Sequence, residues 1–343
     1  MLSDVTLRLD CSAQSIAIAA TLLRNGGLVA MPTETVYGLA ANALDASAVG
    51  SIFAAKGRPH WDPLIVHIAS TAMLNKVAAE ISATAQLLAD AFWPGPLTML
   101  LPRAEGIGDS VTAGRALVGV RWPQHPVAQT LILAAELPLA APSANRFGHI
   151  SPSTAAHVLH DLDGRIDAVL DGGPTGIGVE STVLDPNTTP ITIYRQGAVS
   201  AADVERVTGV PVQLFQPEPN RSPQSLPSPG VGIRHYAPRT PLRLVESRSE
   251  LLEEIAAASQ PVAVLRPQDW AIPTDPPQVS WGAWDDTAQL AHGLYAALRE
   301  LDRIGSSLIL APLPDARAGD DLRSAVRDRL LKAAMPAEDD RQS

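Results

Sequence analysis

A proline-rich segment interrupts this chain and constrains its fold more than any other feature. Six prolines stand between Phe215 and Thr240, at positions 217, 219, 223, 227, 229 and 238. Chain of this composition behaves as a semi-rigid, extended spacer. Strand and helix patterns alternate before the segment, through about Gly209, and begin again at Leu242, so the sequence predicts two α/β domains. We place the first domain at residues 12–200, the linker at 211–240 and the second domain at 241–336.

The composition fits soluble domains and excludes several classes of protein. The 343 residues are 46% hydrophobic and 18% charged, an ordinary globular balance. The formal net charge of -10 argues against a chain coated for non-specific binding to nucleic acid or anionic membranes. Cys11 is the single cysteine, which excludes an internal disulfide framework and fits a reducing compartment. The N-terminus has no signal pattern and no run of ~18 apolar residues occurs, so we expect a cytoplasmic protein without a membrane partner.

The segment Lys56–Pro59 (KGRP) places two cations on what we expect to be an exposed loop between a helix and a buried strand. Gly57 lets a ligand approach the main chain, and Pro59 stiffens the exit from the loop. The planar fork of Arg58 and the point charge of Lys56 together suit a polyphosphate. Taken alone, these four residues fit a turn with solvated cations better, so the assignment depends on the neighbouring segments.

Other polar residues stand at the ends of predicted strands, the edge at which α/β sheets bind ligands. The predicted strand Leu28–Met31 leads into the segment Pro32–Leu39, which carries two threonines, a glutamate and a tyrosine. This segment fits a ligand-binding loop and, nearly as well, a plain strand-to-helix connection. Arg121 closes a buried strand, where a guanidinium needs an anionic partner or water. His67 interrupts another strand, where a hydrogen-bonded core role is commoner than catalysis. Ser151–Pro152 predicts a helix start, a position that favours anions.

Several common catalytic motifs are absent from the sequence. It contains no G-x-x-x-x-G-K-[ST] string and no G-x-G-x-x-G fingerprint after a strand. It also lacks H-E-x-x-H and G-x-S-x-G. P-loop, dinucleotide-binding, metalloprotease and α/β-hydrolase interpretations therefore lose their usual support.

Six motifs follow one another in a fixed order: PTETVYGL (32–39), KGRP (56–59), the strand 64–68 with its histidine, PSAN (142–145), STV (181–183) and SPGVGIRHYAP (228–238). Together they resemble the long, two-domain form of the YrdC-type threonylcarbamoyl-AMP synthases. The resemblance covers the first domain and the linker. It implies a YrdC-like twisted open α/β sheet followed by a smaller, Rossmann-like α/β domain.

The resemblance also implies an activity and its residues. The enzyme would be a nucleotidyltransferase that forms L-threonylcarbamoyladenylate and pyrophosphate from L-threonine, bicarbonate and ATP, with Mg²⁺ on the phosphates. A downstream threonylcarbamoyl transferase would use this product to modify tRNA adenosine 37. For ATP the resemblance implies Lys56, Arg58, Asp62, Ser143, Ser151, Arg195 and His235, with Lys56 and Arg58 acting on the phosphate charge. For L-threonine it implies Thr35, His67, Arg121, Ala141 and Ser181. For a lid it implies Ser228, Arg234, His235 and Tyr236; it implies no protein ligand to a metal.

The sequence departs from the family pattern at a few positions. Asp62 stands where the family usually has asparagine, which brings a negative charge near the phosphates. Leu117 replaces a frequent threonine, and Phe147 replaces a small serine. In the linker, Val231 and Ile233 replace methionine and tyrosine. None of these changes removes a charge that the chemistry needs.

Two other classes of function stay open. The first is a module that binds double-stranded RNA or tRNA without making the adenylate. The second is a carbamoyl-transfer enzyme of the hydrogenase-maturation type, which a chain with one cysteine disfavours because the accompanying zinc-finger cysteines are missing. Because the polar motifs end in the linker, the sequence further predicts that truncation after Arg239 keeps much more activity than truncation after Gly209.

Overall fold

The computed structural model describes residues 5–216, 235–317 and 319–336. These residues form two compact units. Residues 5–147 and 151–216 belong to the first unit, whereas residues 148–150 and those from 235 onward belong to the second. Strands and helices alternate in both units, so the predicted α/β class is confirmed.

The described part of the first unit contains one eleven-stranded sheet and eight helices. The strands are β1 (Leu7–Leu9), β2 (Val29–Met31), β3 (Gly38–Asn42), β4 (Ile65–His67), β5 (Leu97–Pro102), β6 (Leu117–Arg121), β7 (Leu139–Ala140), β8 (Ala168–Leu170), β9 (Thr182–Asp185), β10 (Ile191–Arg195) and β11 (Val212–Leu214). The helices are α1 (Ala13–Arg24), α2 (Ala46–Lys56), α3 (Thr71–Val77), α4 (Ala83–Phe92), α5 (Asp109–Thr112), α6 (Pro126–Ala135), α7 (Ala155–Leu162) and α8 (Ala201–Thr208).

The strand order of this sheet is β1-β8-β2-β3-β7-β4-β6-β5-β9-β10-β11, with both parallel and antiparallel neighbours. The strands in its middle are almost wholly apolar, as strands buried on both faces must be. In β5, for example, Leu97, Met99 and Leu101 are fully buried. They join one continuous hydrophobic core with the inner faces of the helices, such as Ile52 of α2 and Leu131 of α6.

Strands β3 and β10 are among those that were not predicted from the sequence. β3 pairs antiparallel with β2, so the segment Pro32–Tyr37 is a hairpin loop and not a strand-to-helix connection. The sequence of β3, GLAAN, consists of residues that are not enriched in strands. Long-range pairing with β7 also holds β3 in the sheet. β10 pairs with β9 on one side and with β11 on the other.

The predicted helix start at Ser151 is wrong, because α7 begins at Ala155. Thr154 caps this helix, its Oγ1 accepting the N–H of His157. Ser151 and Pro152, which precede the helix, make long-range hydrogen bonds instead. The carbonyl of Pro152 accepts the N–H of Tyr37, and Ser151 Oγ donates to Glu180. The argument that a helix terminus attracts an anion at Ser151 therefore fails.

The second unit is built on a four-stranded sheet in the order β12-β15-β13-β14, in which all neighbours are parallel. Its strands are β12 (Leu242–Val245), β13 (Val262–Arg266), β14 (Gln278–Ser280) and β15 (Leu308–Pro312). Its helices are α9 (Arg248–Ala257), α10 (Thr287–Ile304) and α11 (Asp321–Ala333). The amphipathic α10 buries Leu290, Leu294, Leu298 and Leu301 along one face. Among the described helices of both units, none is long and apolar enough to cross a membrane.

Candidate active site

The hairpin loop between β2 and β3 is fixed by its own hydrogen bonds. Thr33 Oγ1 donates to the carbonyl of Val36 at 2.6 Å and accepts the N–H groups of Thr35 and Val36. From a distant segment, the N–H of Ile177 donates to the carbonyl of Glu34 at 2.7 Å. Since Thr33 and Thr35 are both buried, the loop presents its side chains from a rigid backbone.

Arg121, at the end of β6, meets this loop. Its Nη1 donates to Thr35 Oγ1 at 2.8 Å, and its Nε donates to the carbonyl of Gly95 at 3.3 Å. Its Nη2 lies 2.6 Å from Glu34 Oε1. The sequence analysis expected an anionic partner for this buried guanidinium, and the structure supplies the carboxylate of Glu34.

Glu34 keeps its negative charge at neutral pH in spite of its burial. Burial by itself raises the pKa of the carboxyl group, but the positive charge of Arg121 and the nearby N–H groups of Arg121, Glu34 and Gln124 together outweigh this effect and hold the pKa below its usual value. An ionised carboxylate and a guanidinium therefore face each other where little water reaches either side chain.

His67 lies on β4, directly opposite Arg121 in the parallel pairing of β4 with β6. Its side chain is buried, and burial together with the charge of Arg121 lowers its pKa to about 3. The imidazole is therefore neutral at physiological pH. Within the described residues its Nδ1 has no hydrogen-bond partner. This nitrogen therefore does not show the hydrogen bond expected of a histidine with only a structural role in the core.

Ser181 and Arg195 form a second polar group between β9, β10 and β5. Arg195 donates from Nε to the carbonyl of Ser181 and from Nη2 to Ser181 Oγ, both at 3.0 Å. Thr98 Oγ1 lies 2.8 Å from the same Ser181 hydroxyl. Ser181, which the resemblance implies for L-threonine, thus contacts Arg195, which it implies for ATP. Ser181 also contacts Thr98, a residue that the sequence did not single out.

The expectation that Lys56 and Arg58 lie on an exposed loop is wrong. Lys56 is the last residue of α2, and the exposed fractions of Lys56 and Arg58 are only 2% and 6%. Lys56 Nζ donates to the carbonyl oxygens of Ser143 and Asn145. Burial, and secondly the charge of Arg58, lower the pKa of the Lys56 ammonium well below its usual range.

Arg58 and Asp62 form a buried ion pair next to this ammonium. Arg58 Nη2 lies 2.9 Å from Asp62 Oδ2, and the guanidinium also donates to the carbonyl oxygens of Asp62 and Pro63. Gly57 between the two cations has φ 62 and ends α2 in the left-handed conformation, which glycine adopts without strain. The two cations are therefore held inside the fold.

The remaining residues implied for the substrates occupy the connection between β7 and α7. Ala141 is buried, and its N–H donates to the carbonyl of Ile65 at 2.9 Å. Ser143 is half-buried, and its carbonyl accepts from Lys56. Ser151 is fully buried and donates to Glu180 Oε1 at 2.6 Å. Glu180 was not singled out in the sequence, where an acidic residue between glycine-rich and strand-like segments gave no signal.

The residues implied for the lid divide into two groups. Ser228 and Arg234 lie outside the described residues. His235 and Tyr236 are buried in the second unit. There the ring of Tyr236 stacks on Tyr295 of α10 at 5.8 Å, and the guanidinium of Arg329 of α11 lies 5.5 Å from the Tyr236 ring centre.

The first unit is thus an α/β domain with buried charged and hydrogen-bonding side chains, several of them at the ends of β4, β6 and β10. These residues form the candidate site for small charged ligands. The family model Sua5_yciO_yrdC, described as "Telomere recombination", matches residues 21–197. The model Sua5_C, described as "Threonylcarbamoyl-AMP synthase, C-terminal domain", matches residues 199–335.

Individual relatives cover nearly the whole chain. The threonylcarbamoyl-AMP synthase of Pyrococcus abyssi is 41% identical over 93% of this chain and 94% of its own length. That of Bacillus subtilis is 42% identical over 96% of both chains. The crystal structure of P. abyssi Sua5 complexed with L-threonine has a TM-score of 0.86 and 40% identity, covering 96% of this chain and 97% of that one. The chain therefore belongs to the threonylcarbamoyl-AMP synthase family, as its motifs predicted, and is an enzyme of the adenylate-forming nucleotidyltransferase type.

Proposed function

We propose that this chain forms L-threonylcarbamoyladenylate and pyrophosphate from L-threonine, bicarbonate and ATP. The observation that carries the proposal is the buried group around Arg121. Within the described residues, Arg121 Nη2 and Glu34 Oε1 form a buried ion pair, and neither these atoms nor Glu34 Oε2 and His67 Nδ1 make an aligned hydrogen bond. Buried polar atoms in this state are usually satisfied by an ordered water or by a ligand. The relatives' names, and the threonine in the P. abyssi structure, support an amino acid as that ligand.

The reaction needs no nucleophile from the protein. The amine of threonine adds to the carbon of bicarbonate and water leaves, which gives a carbamate. An oxygen of the carbamate then attacks the α-phosphorus of ATP, the bond to the β-phosphate oxygen breaks, and pyrophosphate leaves. The enzyme's contribution is to position the reactants and to neutralise the charge that develops on the phosphates.

The assignment of residues to the two substrates is part of this proposal. We assign Thr35, His67, Arg121, Ala141 and Ser181 to L-threonine, and Lys56, Arg58, Asp62, Ser143, Ser151, Arg195 and His235 to ATP. The hydrogen bonds from Arg195 to Ser181 support adjacent sites, because they join a residue of each set. The neutral imidazole of His67 can donate to or accept from the threonine hydroxyl without adding a charge.

Mg²⁺ belongs to the proposal as the partner of the ATP phosphates. The described residues contain no group of three or more His, Cys, Asp or Glu side chains that could hold a metal ion. We propose a cation held chiefly by phosphate oxygens and water, as Mg²⁺ usually is at nucleotide sites. When bound, it neutralises phosphate charge; the chain's own part is to hold the nucleotide with buried cations.

In the cell, we propose, the product passes to a threonylcarbamoyl transferase that modifies tRNA adenosine 37, and this takes place in the cytoplasm. The adenylate and the carbamate are both labile in water, so the enzyme has to keep them from solvent until transfer. Binding of RNA by the enzyme itself is not required for this role.

A pyrophosphate-release assay with each substrate omitted in turn tests the proposed function. We expect release with all three substrates, and release near background when L-threonine or bicarbonate is left out. Mass spectrometry should detect threonylcarbamoyl-AMP in the complete reaction. Binding of double-stranded RNA without any pyrophosphate release would contradict the proposal and favour the RNA-binding alternative.

A further inference from the structure

Glu34 has no role in the reaction described above, although its carboxylate is buried beside Arg121. Its carboxylate lies 2.6 Å from Arg121 Nη2, with side-chain exposures of 11% and 5%. In the described part of the chain the 2.6 Å contact joins Nη2 to one carboxylate oxygen, and neither carboxylate oxygen makes an aligned hydrogen bond. The two charges are thus close to each other, and a carboxylate, which has about four lone-pair sites, keeps acceptor capacity beyond this one contact.

Both partners are held in place independently of this contact. The backbone of Glu34 is fixed by the hydrogen bond from Ile177 and by the Thr33 turn. Arg121 is fixed by its bonds to Thr35 and Gly95. The backbone that carries Glu34 and the guanidinium of Arg121 are therefore fixed before a ligand enters, which lowers the entropic cost of binding.

A buried ion pair of this kind is costly unless hydrogen bonds satisfy the remaining donors and acceptors. A ligand that carries one negative and one positive charge can satisfy both sides together. In an α-amino acid, the carboxylate and the ammonium are bonded to the same carbon. A carboxylate on Arg121 therefore places the ammonium within reach of a carboxylate that borders the same guanidinium.

We propose that Glu34 binds the α-ammonium group of the amino-acid substrate while Arg121 binds its α-carboxylate, so that the pair recognises the zwitterion. This inference rests on the proposed function, because it assumes an amino acid at this site. It makes Glu34 a specificity-determining residue: it selects α-amino acids over 2-hydroxy acids of the same shape. The lowered pKa of Glu34 is consistent with an anion in this role.

Calorimetric titration with two ligands tests the inference. One ligand is L-threonine, and the other is 2,3-dihydroxybutanoate of matching stereochemistry, in which a hydroxyl replaces the ammonium. We expect the wild-type protein to prefer threonine. We expect Glu34→Gln to lose roughly tenfold or more in threonine affinity, the size of one hydrogen bond between charged groups. Its affinity for dihydroxybutanoate should stay the same or rise.

Control variants make the result specific. Glu80→Gln makes the same chemical change at an exposed site and should leave both affinities unchanged. Glu34→Asp keeps the charge on a shorter side chain and should retain part of the preference for threonine; it carries the test if Glu34→Gln does not fold. Far-UV circular dichroism and thermal denaturation show which variants are folded.

The possible outcomes separate the inference from the proposed function. Equal weakening of both ligands by Glu34→Gln would mean that Glu34 only supports Arg121, and tightening of both would mean that it only blocks Arg121; either result overturns the inference. If the wild-type protein binds threonine and Glu34→Gln keeps the full preference, the inference alone is wrong. If the wild-type protein does not bind threonine, the proposed function fails and the inference fails with it.

Discussion

At the scale of single residues, Asp62 keeps a carboxylate in surroundings that favour its neutral form. The side chain is fully buried, and in the described residues neither of its oxygens has a hydrogen-bond partner, although Arg58 lies 2.9 Å away. Burial raises its pKa by more than Arg58, Lys56 and Arg195 lower it. Asparagine, which the family resemblance leads us to expect here, avoids this cost because it carries no charge.

We therefore predict that Asp62→Asn stabilises the protein at neutral pH. Because the folded-state pKa of Asp62 is raised, the stability that its protonated form contributes is lost as pH rises through that pKa. The melting temperature of the variant should match that of the wild-type protein near pH 4 and exceed it by a few degrees near pH 7, measured by thermal denaturation. Asp90→Asn, at an exposed site, should show no such pH-dependent gain. A variant that is less stable at both pH values would show that Arg58 requires the negative charge.

A second prediction concerns Arg121→Lys. The guanidinium uses separate nitrogens for Gly95, Thr35 and Glu34, and a single ammonium cannot replace this fork. We expect the KM for L-threonine to rise roughly tenfold or more while the KM for ATP changes little, since one charged hydrogen bond is worth about 1.5–3 kcal/mol. Arg24→Lys, which alters a surface guanidinium bound to the carbonyl of Ala134, serves as the control. Equal losses for both substrates would reassign Arg121.

At the scale of elements, Lys56 joins the end of α2 to the segment after β7. Its ammonium donates to the carbonyl oxygens of Ser143 and Asn145, and its own carbonyl accepts the N–H of Phe147. The lysine is therefore a structural tie as well as a candidate for binding phosphate. Removing its charge leaves two carbonyl oxygens without their donor, at about 1–3 kcal/mol for each one that stays buried.

For this reason we predict that Lys56→Met loses both activity and local order. Turnover should fall more than tenfold, and amide hydrogen exchange should accelerate in residues 142–147. Methionine keeps the length of the apolar stem, so the loss reports the ammonium. Lys76→Met, in the last turn of α3 and exposed, should change neither measurement. Unaltered exchange in residues 142–147 together with low turnover would assign Lys56 to catalysis alone.

The elements also show what the sequence could and could not predict. Apolar runs such as Leu28–Met31 and the amphipathic pattern of α1 indicate strands and helices directly, because burial sets their periodicity. β3 has no such signal, since its pairing with β2 and β7 decides its conformation. The sequence also indicated that Arg121 needs an anion. It could not indicate Glu34, or that carbonyl oxygens capture Lys56, because those contacts join segments far apart in the chain.

At the scale of the whole molecule, Tyr236 depends on the second unit. Its φ of 62 is unusual for a residue with a side chain, and its ring packs against Tyr295 and Arg329. The N–H of the next residue, Ala237, donates to the carbonyl of Gly148, within the same unit. Truncation after Arg239 removes Tyr295 and Arg329, and truncation after Gly209 removes β11, which pairs with β10. A comparison of the truncations after Arg239 and after Gly209 therefore does not isolate the effect of the linker.

We now predict that truncation after Arg239 is about as inactive as truncation after Gln216, which keeps β11. Without α10 and α11, Tyr236 loses its ring contacts with Tyr295 and Arg329, which help to hold it and the adjacent His235, which we assign to ATP, in their observed positions. In the full-length chain, Tyr236→Ala should destabilise the second unit by about 3–5 kcal/mol, the usual cost of removing a large buried ring. Pyrophosphate release by the two truncations and the melting curve of Tyr236→Ala measure these effects. If truncation after Arg239 keeps near-normal activity and truncation after Gln216 does not, the linker acts without the second unit, and the expectation drawn from the sequence is correct.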